Sequence, residues 1–553
     1  MRCFKWSVFL YWFLVYGTKF SEEYDYYNVT IDRAPRQLRE FKNEHPKPIG
    51  VITTEAGSPV DLRDTIIINK DIFNSEFFAD TLTHFDGEPI PERVVQGHGY
   101  GAYGYFEVTH DVSKYTSADV FNGIGKKTPL VARFSTARQS INGNELVREH
   151  KALSLKIYTK EGNLDILTIN IPAYDYRDPL DFPNFIRAQK KHPKTKIRDL
   201  NMEWDFTTLR PSRFHAMMWR MSDYGLPLGF RRMDLFPIHA YEINNKHGDR
   251  YIVKFNFRTE LGLANLTTSQ AMAISSQEPN YFSRDLYNAI MNKNYPSWKL
   301  EMDVMTLDDI KKLDYNPFDV TRLWKAGTYK TVTIGRLVMN EIPDNHFRSI
   351  EMGAFNPANL VPGIPGPADT VFKGRRLAYR DAHNNRLGRN HNRIEVNLPK
   401  GRVLTYTRDS KPPVRDNMRD APSFFPNSFN GPVPYVDPSR PSQKLMVYDN
   451  NIADFEPAWY FYNYILKEEG EKQRLAENMA YTLLDVDEEV RERGLTMISW
   501  IDLDLAKRIR ERFAMIRAAA DEASHVDVKT RFDPLARCID SFIEGHLTSH
   551  RYH

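Results

Sequence analysis

Between about residue 85 and residue 348 the chain is a succession of short apolar runs separated by turn residues, and this pattern restricts the fold most. Several runs alternate apolar and polar side chains, as the strands of a half-buried antiparallel sheet do. The runs are 104–109, 130–135, 152–158, 165–169, 251–257 and 300–305, with helical patterns at 269–274 and 283–291 between them. Many short strands joined by turns indicate a closed antiparallel barrel.

The placement of proline divides the rest of the chain. From 356 to about 441 prolines are frequent, in groups at 357–367 and 412–441. Because proline fixes φ and lacks an N–H donor, this region is predicted to be extended and to wrap around another surface. Proline is absent between Pro457 and Pro534, where apolar residues recur at helical spacing, which predicts a small helical domain. The apolar stripes are Leu475, Met479 and Leu483, and then Ile501, Leu505, Ile509 and Phe513.

The N-terminal residues have the pattern of a secretory signal peptide. Arg2 and Lys5 precede an apolar run at 6–16, which is followed by the small residue Gly17. The run is too short for a comfortable membrane span. We therefore expect residues 1–17 to be a signal peptide and the protein to be secreted, with a glycosylation sequon at Asn28. Residues 18–80 are predicted to form a polar arm, in which 61–73 is extended.

Bulk charge and one misleading motif limit the possible functions. A formal net charge of +3 over 553 residues gives no reason to expect a nucleic-acid partner, and no later apolar run reaches membrane-spanning length. Gly99, Gly101 and Gly104 match the GxGxxG pattern of dinucleotide-binding proteins. A strand pattern follows them, whereas that fingerprint requires a helix. We interpret these glycines as points where the backbone approaches a flat group.

Two segments carry a family resemblance. Segment 91–106, PERVVQGHGYGAYGYF, resembles the distal haem segment of the catalases, ERVVHxxGxGxxGYF. Segment 374–388, GRRLAYRDAHNNRLG, resembles their proximal segment, RxxxYxDxHxxRLG. The resemblance to an animal-type catalase extends over roughly residues 27–520. It implies an α+β fold: an arm at 18–80, a haem-binding antiparallel β-barrel at 81–350, a wrapping segment at 351–445, and a helical domain and tail at 446–553.

The same resemblance implies haem b as the cofactor and assigns residues to it. Tyr379 stands at the position of the phenolate that ligates the haem iron, which is the axial ligand of catalase haem. Arg375 stands at the arginine that hydrogen-bonds this phenolate, which helps a group that ordinarily ionises near pH 10. The other positions that match are Arg93, Arg133 and Arg386 against the propionates, Val95 and Phe182 on the haem faces, and His383 in the proximal pattern.

The chain departs from the family at the two chemical positions. The distal histidine is replaced by Gln96, while Ser135 matches the serine that orients that histidine. The distal asparagine is replaced by Ile169. Losing a positioned acid–base group lowers a rate by about 10²–10⁴. We therefore expect reduced or lost catalase activity in a protein that retains the haem pocket.

Alternatives to this interpretation remain open at the level of sequence. One is an active secreted catalase whose distal loop shifts to bring in His98 and Asn170. Another is a haem-free binding scaffold, although the matched arginines and Tyr379 would be unfavourable to bury without a ligand. A third is a relative that converts organic hydroperoxides, but that function is affected by the same missing histidine. The expected partners are hydrogen peroxide or small peroxides and three further copies of the chain in a homotetramer.

The second cofactor of many catalases, NADPH, is expected to bind weakly or not at all. His215 matches the family's histidine, and Arg258 replaces its lysine. The positions that do not fit the family set are Tyr224, Asp234, Phe236 and Ala326. In the approach channel the family's aromatic residues correspond to Tyr174 and Asp175, so a charge enters an apolar passage.

Overall fold

An antiparallel sheet of nine strands, in the order β4-β3-β2-β1-β8-β7-β6-β5-β9, organises the described part of the chain. The computed structural model describes residues 32–65, 75–137, 140, 142–427, 429–435, 437 and 452–525. The expected signal peptide, the Asn28 sequon and residues 66–73 of the expected extended segment lie outside them. The strands are β1 Gly99–Val108, β2 Lys127–Thr136, β3 Lys151–Thr159, β4 Gly162–Ile169, β5 Tyr241–Asn244, β6 Arg250–Thr259, β7 Ser297–Thr306, β8 Lys330–Glu341 and β9 Gly366–Pro367.

The sheet curls into a half-barrel. Two isolated bridges complete the curvature: Phe236 pairs with Ile169 at the end of β4, and its neighbour Leu235 pairs with Phe257 in β6. Aromatic side chains fill the interior, where Phe134 stacks on Phe230 with ring centroids 5.0 Å apart. Each predicted run lies inside a strand, apart from Thr109 at the end of 104–109, and the predicted antiparallel barrel fold is confirmed as a curled half-barrel.

The glycines of β1 allow close backbone packing within the barrel. A Cβ at Gly104 would lie 2.0 Å from the carbonyl oxygen of Val338, where the register between β1 and β8 shifts. A Cβ at Gly101 would lie 2.2 Å from the side chain of Ile350. The interpretation that these glycines approach a flat group is therefore wrong, because strand β8 and a core side chain occupy the space. The conclusion that they do not form a dinucleotide fingerprint holds, since they lie in a strand.

Helices cover the sheet and form a second core. The α-helices are α1 Gln37–Glu44, α2 Glu76–Gly87, α3 Asp181–Gln189, α4 Leu200–Thr208, α5 Arg213–Met221, α6 Thr268–Ser275, α7 Tyr281–Met291, α8 Leu307–Lys311, α9 Thr370–Leu387, α10 Glu456–Tyr460, α11 Glu469–Thr482, α12 Glu488–Ile501 and α13 Leu503–His525. The predicted stripe Leu475, Met479 and Leu483 is fully buried in the second core, as the helical domain requires. None of the described helices combines the length and apolar character needed to cross a membrane.

Three elements differ from the expectations. The proline-rich region contains the 18-residue helix α9, because no proline occurs between Pro367 and Pro399 and Asp369 caps its first turn. Residues 401–427 and 429–435, in contrast, contain neither helix nor strand, as predicted for this region. In the arm, Leu62–Asp64 is a short 3₁₀ helix and not an extended segment. Helix α2 also crosses the expected boundary at residue 80.

Candidate active site

Helix α9 places a tyrosine at the end of a hydrogen-bonded chain of four side chains. Arg375 lies one turn before Tyr379 and donates from Nη2 to the phenol oxygen at 3.0 Å. Its Nη1 donates to Nε2 of His239 at 2.7 Å. Nδ1 of His239 donates in turn to Oδ2 of Asp369 at 2.9 Å. The carboxylate that caps α9 therefore also fixes the arginine that contacts Tyr379.

Burial and charge settle the ionisation of this chain. Burial lowers the pKa of His239 despite the opposing effect of Asp369, so the imidazole is neutral and its Nε2 accepts from Arg375. Burial would raise the pKa of Asp369, but the contact with His239 and the hydrogen bond from Phe372 hold it below its usual value. Burial also opposes the charge on Arg375, yet the phenols of Tyr379 and Tyr174 raise its pKa above the usual value. Tyr379 therefore faces a charged donor, as a metal-binding phenolate requires.

Three arginines converge on one carboxylate at the other end of the site. Arg93 donates to Oε2 of Glu351 at 2.6 Å, and Arg386 donates to the same oxygen at 3.1 Å. The Arg133 Nε lies 3.9 Å from Oε1 of Glu351, and no hydrogen-bond partner for this Nε occurs in the described residues. Glu351 lies in a π-helical turn, Phe347–Glu351. The four side chains carry an excess of positive charge.

The excess of positive charge affects the pKa of Arg133 and favours the binding of an anion. Burial, and then repulsion from Arg93, lowers the pKa of Arg133 well below its ordinary value, with only Glu351 opposing. A bound dianion would relieve this repulsion, and planar guanidinium groups pair well with carboxylates. The two propionates of haem supply such a dianion. Together with Tyr379 at the opposite end, the donor set therefore fits haem.

A cavity of about 210 Å³, here called the main cavity, joins the two ends of the site. It brings together all the predicted site residues except Ser135 and Ile169: Arg93, Val95, Gln96, Arg133, Phe182, Arg375, Tyr379, His383 and Arg386. His383 donates from Nε2 to the Phe355 carbonyl oxygen at 2.8 Å, and burial lowers the pKa of its ring to about 4. In the described residues no cluster of three or more His, Cys, Asp or Glu is arranged to hold a bare metal ion.

Gln96 projects from a strained backbone position on the distal side. Its φ of 60° lies in the left-handed region, which is unfavourable for a residue with a Cβ. The Gln96 N–H donates to the Ala137 carbonyl at 2.9 Å, and its Oε1 accepts from the Ser135 hydroxyl at 3.3 Å. Ser135 therefore orients the amide at the position where the resemblance places a histidine. An amide can donate and accept hydrogen bonds but does not exchange a proton near neutral pH.

Ile169 borders a second, adjoining cavity, here called the distal cavity, which is also lined by Val95 and Gln96. It is buried at the end of β4, pairs with Ala152 and bridges Phe236. Its side chain supplies no polar atom. Both distal positions of the family pattern therefore lack a proton-transferring group.

His98 and Asn170, the proposed substitutes, are engaged elsewhere. Nε2 of His98 lies 3.1 Å from Oε1 of Glu145, and the ring is buried. Oδ1 of Asn170 accepts from the Lys151 N–H at 2.8 Å, and its Nδ2 donates to the Tyr224 carbonyl at 2.8 Å. Neither residue lines the main or the distal cavity.

The positions expected to matter for NADPH are occupied by contacts within the chain. Nδ1 of His215 donates to the Thr321 carbonyl at 2.7 Å, and its Nε2 accepts from Trp219 at 3.0 Å. Burial lowers the pKa of His215 to about 4. Arg258 pairs with Asp234 at 2.9 Å.

Sequence reasoning missed a group of charged side chains in the distal cavity. This cavity is lined by Glu149, His150, Arg220 and Asp175. Among these four residues, only Asp175 was identified from the sequence. The available signal was the charged run at 148–151, which leads into the buried strand β3. Charged residues between strands usually mark a turn, so the run did not indicate a charged cavity until the fold was known.

Comparison with known proteins shows similarity to catalases over most of the described residues. The family model described as "Catalase" matches residues 53–431, and the model described as "Catalase-related immune-responsive" matches residues 449–513. The catalase of Cavia porcellus is 38% identical over 494 residues, which cover 87% of this chain and 93% of the relative. Catalase-2 of Caenorhabditis elegans is 38% identical over 493 residues, covering 87% of this chain and 98% of the relative.

Solved structures agree with the sequence relatives. Catalase A from Saccharomyces cerevisiae superposes with a TM-score of 0.79 at 33% identity, covering 84% of this chain and 99% of the yeast chain. A bacterial catalase superposes with a TM-score of 0.80 at 30% identity, covering 88% of this chain and 98% of the other. The half-barrel and its helical domain are therefore the catalase fold.

Proposed function

The chain belongs to the catalase family, and on that premise we propose that it binds haem b but has weak or no hydrogen peroxide disproportionation. One observation carries the proposal. The groups that would hold haem surround one cavity, whereas the two distal positions are occupied by an amide and an alkyl side chain. The protein therefore keeps the means of binding haem and lacks the family's means of moving protons beside it.

The residues of the main cavity have separable tasks. Tyr379 would hold the iron as a phenolate, with Arg375 donating to its oxygen. Arg93, Arg133 and Arg386 would neutralise the propionates. When bound, haem supplies the redox chemistry on which peroxide disproportionation depends. Peroxide and other small peroxides are the substrates that the family implies.

Disproportionation also needs a proton to move from one peroxide oxygen to the other. Gln96 can hydrogen-bond a peroxide through its amide but cannot take its proton. Ile169 offers no hydrogen bond, so the peroxide is neither deprotonated nor oriented by the family's pair. Removing a positioned acid–base group typically lowers a rate by about 10²–10⁴. The expected residual activity is therefore small.

The competing interpretations receive less support. A working catalase that uses His98 and Asn170 would have to break the contacts that hold them. His98 contacts Glu145, and Asn170 is hydrogen-bonded to the backbone of Lys151 and Tyr224. A haem-free scaffold would leave Arg133 buried with an unpartnered Nε in the described residues. NADPH is not proposed as a cofactor, since both ring nitrogens of His215 are engaged within the chain.

Location and assembly complete the proposal. The apolar run at 6–16 with flanking Arg2 and Lys5 supports secretion through a cleaved signal peptide. The family relationship supports a homotetramer. Residues 401–427 lack helix and strand, and Phe424 and Phe425 are exposed on this segment, which suits a segment that packs on a partner subunit.

The deciding experiment is a spectrum followed by an oxygen measurement. The full chain, purified with haem, should show a Soret band and little oxygen release on addition of hydrogen peroxide. Gln96→His combined with Ile169→Asn should raise oxygen release by about 10²–10⁴. The matched control, Gln96→Asn with Ile169→Val, changes the same side chains without adding a base and should stay at the original rate.

Three outcomes would contradict parts of the proposal. Rapid oxygen release by the unmodified chain would refute the loss of activity. If His98→Ala then abolished that release, the shifted-loop interpretation would replace it. Absence of a Soret band after reconstitution with haem would leave the scaffold interpretation.

A further inference from the structure

A buried histidine–carboxylate pair lies in the distal cavity, close to Gln96. The Nε2 of His150 lies 2.6 Å from Oδ2 of Asp175, and both residues are buried. Both line the distal cavity together with Gln96 and Ile169. In the described residues the other ring nitrogen of His150, Nδ1, has no hydrogen-bond partner. A buried nitrogen without a partner is uncommon and calls for an explanation.

The backbone holds His150 and Gln96 at a defined separation. The Gln96 N–H donates to the Ala137 carbonyl, and the Ala137 N–H donates to the His150 carbonyl at 3.0 Å. The two residues therefore lie on either side of one extended segment, and their backbones are separated by roughly 10 Å, about two interstrand spacings. Both side chains line the distal cavity.

His150 and two buried arginines keep Asp175 ionised. Arg213 Nε lies 3.5 Å and Arg220 Nη1 lies 3.9 Å from Oδ1 of Asp175. Arg220 also pairs with Glu203 at 2.8 Å. Burial would raise the pKa of Asp175, but His150 and then the arginines hold it well below its usual range.

The ionised carboxylate determines which nitrogen of the ring carries the proton. An ionised Asp175 can only accept a hydrogen bond, so Nε2 of His150 is the donor across the 2.6 Å contact. An orienting carboxylate of this kind also stabilises the imidazolium that forms on proton uptake.

We propose that His150, held by Asp175, is the proton acceptor of the distal cavity for small weak acids of the peroxide class. In this step the H–O bond of the ligand breaks, its electron pair stays on the ligand oxygen, and the proton goes to Nδ1. The imidazolium then keeps its Nε2–H bond to Asp175. Gln96 lines the same cavity and offers a hydrogen-bonding amide. His150 is thus a catalytic residue for deprotonation, and Asp175 is its positioning residue.

The first test uses cyanide as the probe, because hydrogen cyanide is undissociated near neutral pH and must lose its proton to bind ferric haem as an anion. This test rests on the proposed function, since it needs haem-loaded protein. Near pH 7, His150→Gln should slow cyanide association about 100-fold and Asp175→Asn about tenfold, with His98→Gln within about twofold of the original rate. His98 is the matched control because it pairs with Glu145 and is buried outside the cavity.

The second test does not need haem. Nitrogen-15 NMR of the full chain labelled at histidine reports which ring nitrogen is protonated, and His150→Gln assigns the signal. At pH 7 we expect Nε2 of His150 to be protonated and Nδ1 to be bare, and Asp175→Asn should mix the two tautomers. A proton resident on Nδ1, or unchanged cyanide association in His150→Gln, would overturn the proposal. Failure to take up haem would instead refute the proposed function and leave the NMR result to decide on His150.

Discussion

Replacing Glu351 by glutamine tests whether the arginine cluster is built for a dianion. Glu351 is the carboxylate that Arg93 and Arg386 share, at 2.6 Å and 3.1 Å, and Arg133 lies 3.9 Å away. Its side chain is only 12% exposed, so solvent screens these interactions weakly. Glutamine has nearly the same shape and can still accept a hydrogen bond, so Glu351→Gln removes charge with little loss of packing.

The magnitude follows from the charges that remain. Two unit charges 4 Å apart interact with about 4 kcal/mol at the effective dielectric of a partly buried site. Removing one member of a buried ion pair typically destabilises a protein by about 3–5 kcal/mol, because the remaining charge is left uncompensated. With three guanidinium groups left behind, we expect Glu351→Gln to lower the stability of the haem-free chain by about 3–5 kcal/mol.

The pH dependence has a defined sign. Burial would raise the pKa of Glu351, but Arg93 and then Arg133 lower it below its usual value. A carboxyl group with a lowered folded-state pKa contributes stability above its unfolded pKa and loses it as the pH falls through the folded value. The stability difference between the original chain and Glu351→Gln should therefore be full near pH 7 and shrink as the pH falls below about 4.

Haem provides the decisive comparison. If the propionates neutralise the same arginines, haem should compensate for the missing carboxylate, so the rise in thermal unfolding temperature on haem binding should be larger in Glu351→Gln than in the original chain. Glu242→Gln is the matched control: Glu242 holds Arg250 through two hydrogen bonds of 2.9 Å, and Arg250, unlike Arg93, Arg133 and Arg386, does not line the main cavity. It should lose stability without a larger haem effect. Equal haem effects in the two variants would refute the assignment of these arginines to the propionates.

Two further substitutions test the proximal side. Asp369→Asn keeps the helix cap, since asparagine caps as well as aspartate, but it weakens the contact with His239. We therefore expect a shifted Soret band and weaker haem binding. An unchanged spectrum would contradict the role of the hydrogen-bonded side chains that lead from Asp369 to Tyr379. Gly374→Ala should destabilise by about 1–3 kcal/mol, because its Cβ would lie 2.3 Å from Cβ of Pro179. Gly87→Ala is the control, because no atom lies within 4 Å of the added Cβ, and it should leave the stability unchanged or raise it by up to about 1 kcal/mol. Urea unfolding compares the two, and stabilisation by both would contradict the packing argument.

The parts of the fold that follow from local patterns were predictable. Alternation located the strands, and the four-residue spacing of Leu475, Met479 and Leu483 located a buried helix face. Helix α9 was missed because the density of proline was averaged over the whole of 356–441, although the residues of α9 contain none. The β1 glycines were misassigned because close contact with Val338 and Ile350 depends on which strand lies beside them, and a single chain segment does not contain that information.

The residues of the candidate site likewise fall into those that local sequence patterns predict and those that only the tertiary structure brings together. The proximal residues were found because Arg375 and Tyr379 stand in one helix, where a fixed spacing implies a contact. Glu351 was missed, since it meets Arg93 across a chain separation of 258 residues and Arg386 across 35. The pairing of His150 with Asp175, 25 residues apart, likewise arises from the curl of the sheet. Only the tertiary structure shows that these charges are compensated.

The strained backbone at Gln96 indicates that the distal cavity retains a function. A residue with a Cβ in the left-handed region is disfavoured by about 1–2 kcal/mol, and such strain persists where the surroundings impose it, most often at functional sites. Here the Ala137 backbone and the Ser135 hydroxyl hold the amide in place. A glycine would adopt this backbone without strain but would place nothing in the cavity. The chain thus retains a strained position that presents a hydrogen-bonding amide, and a cavity kept only as empty space would not require that arrangement.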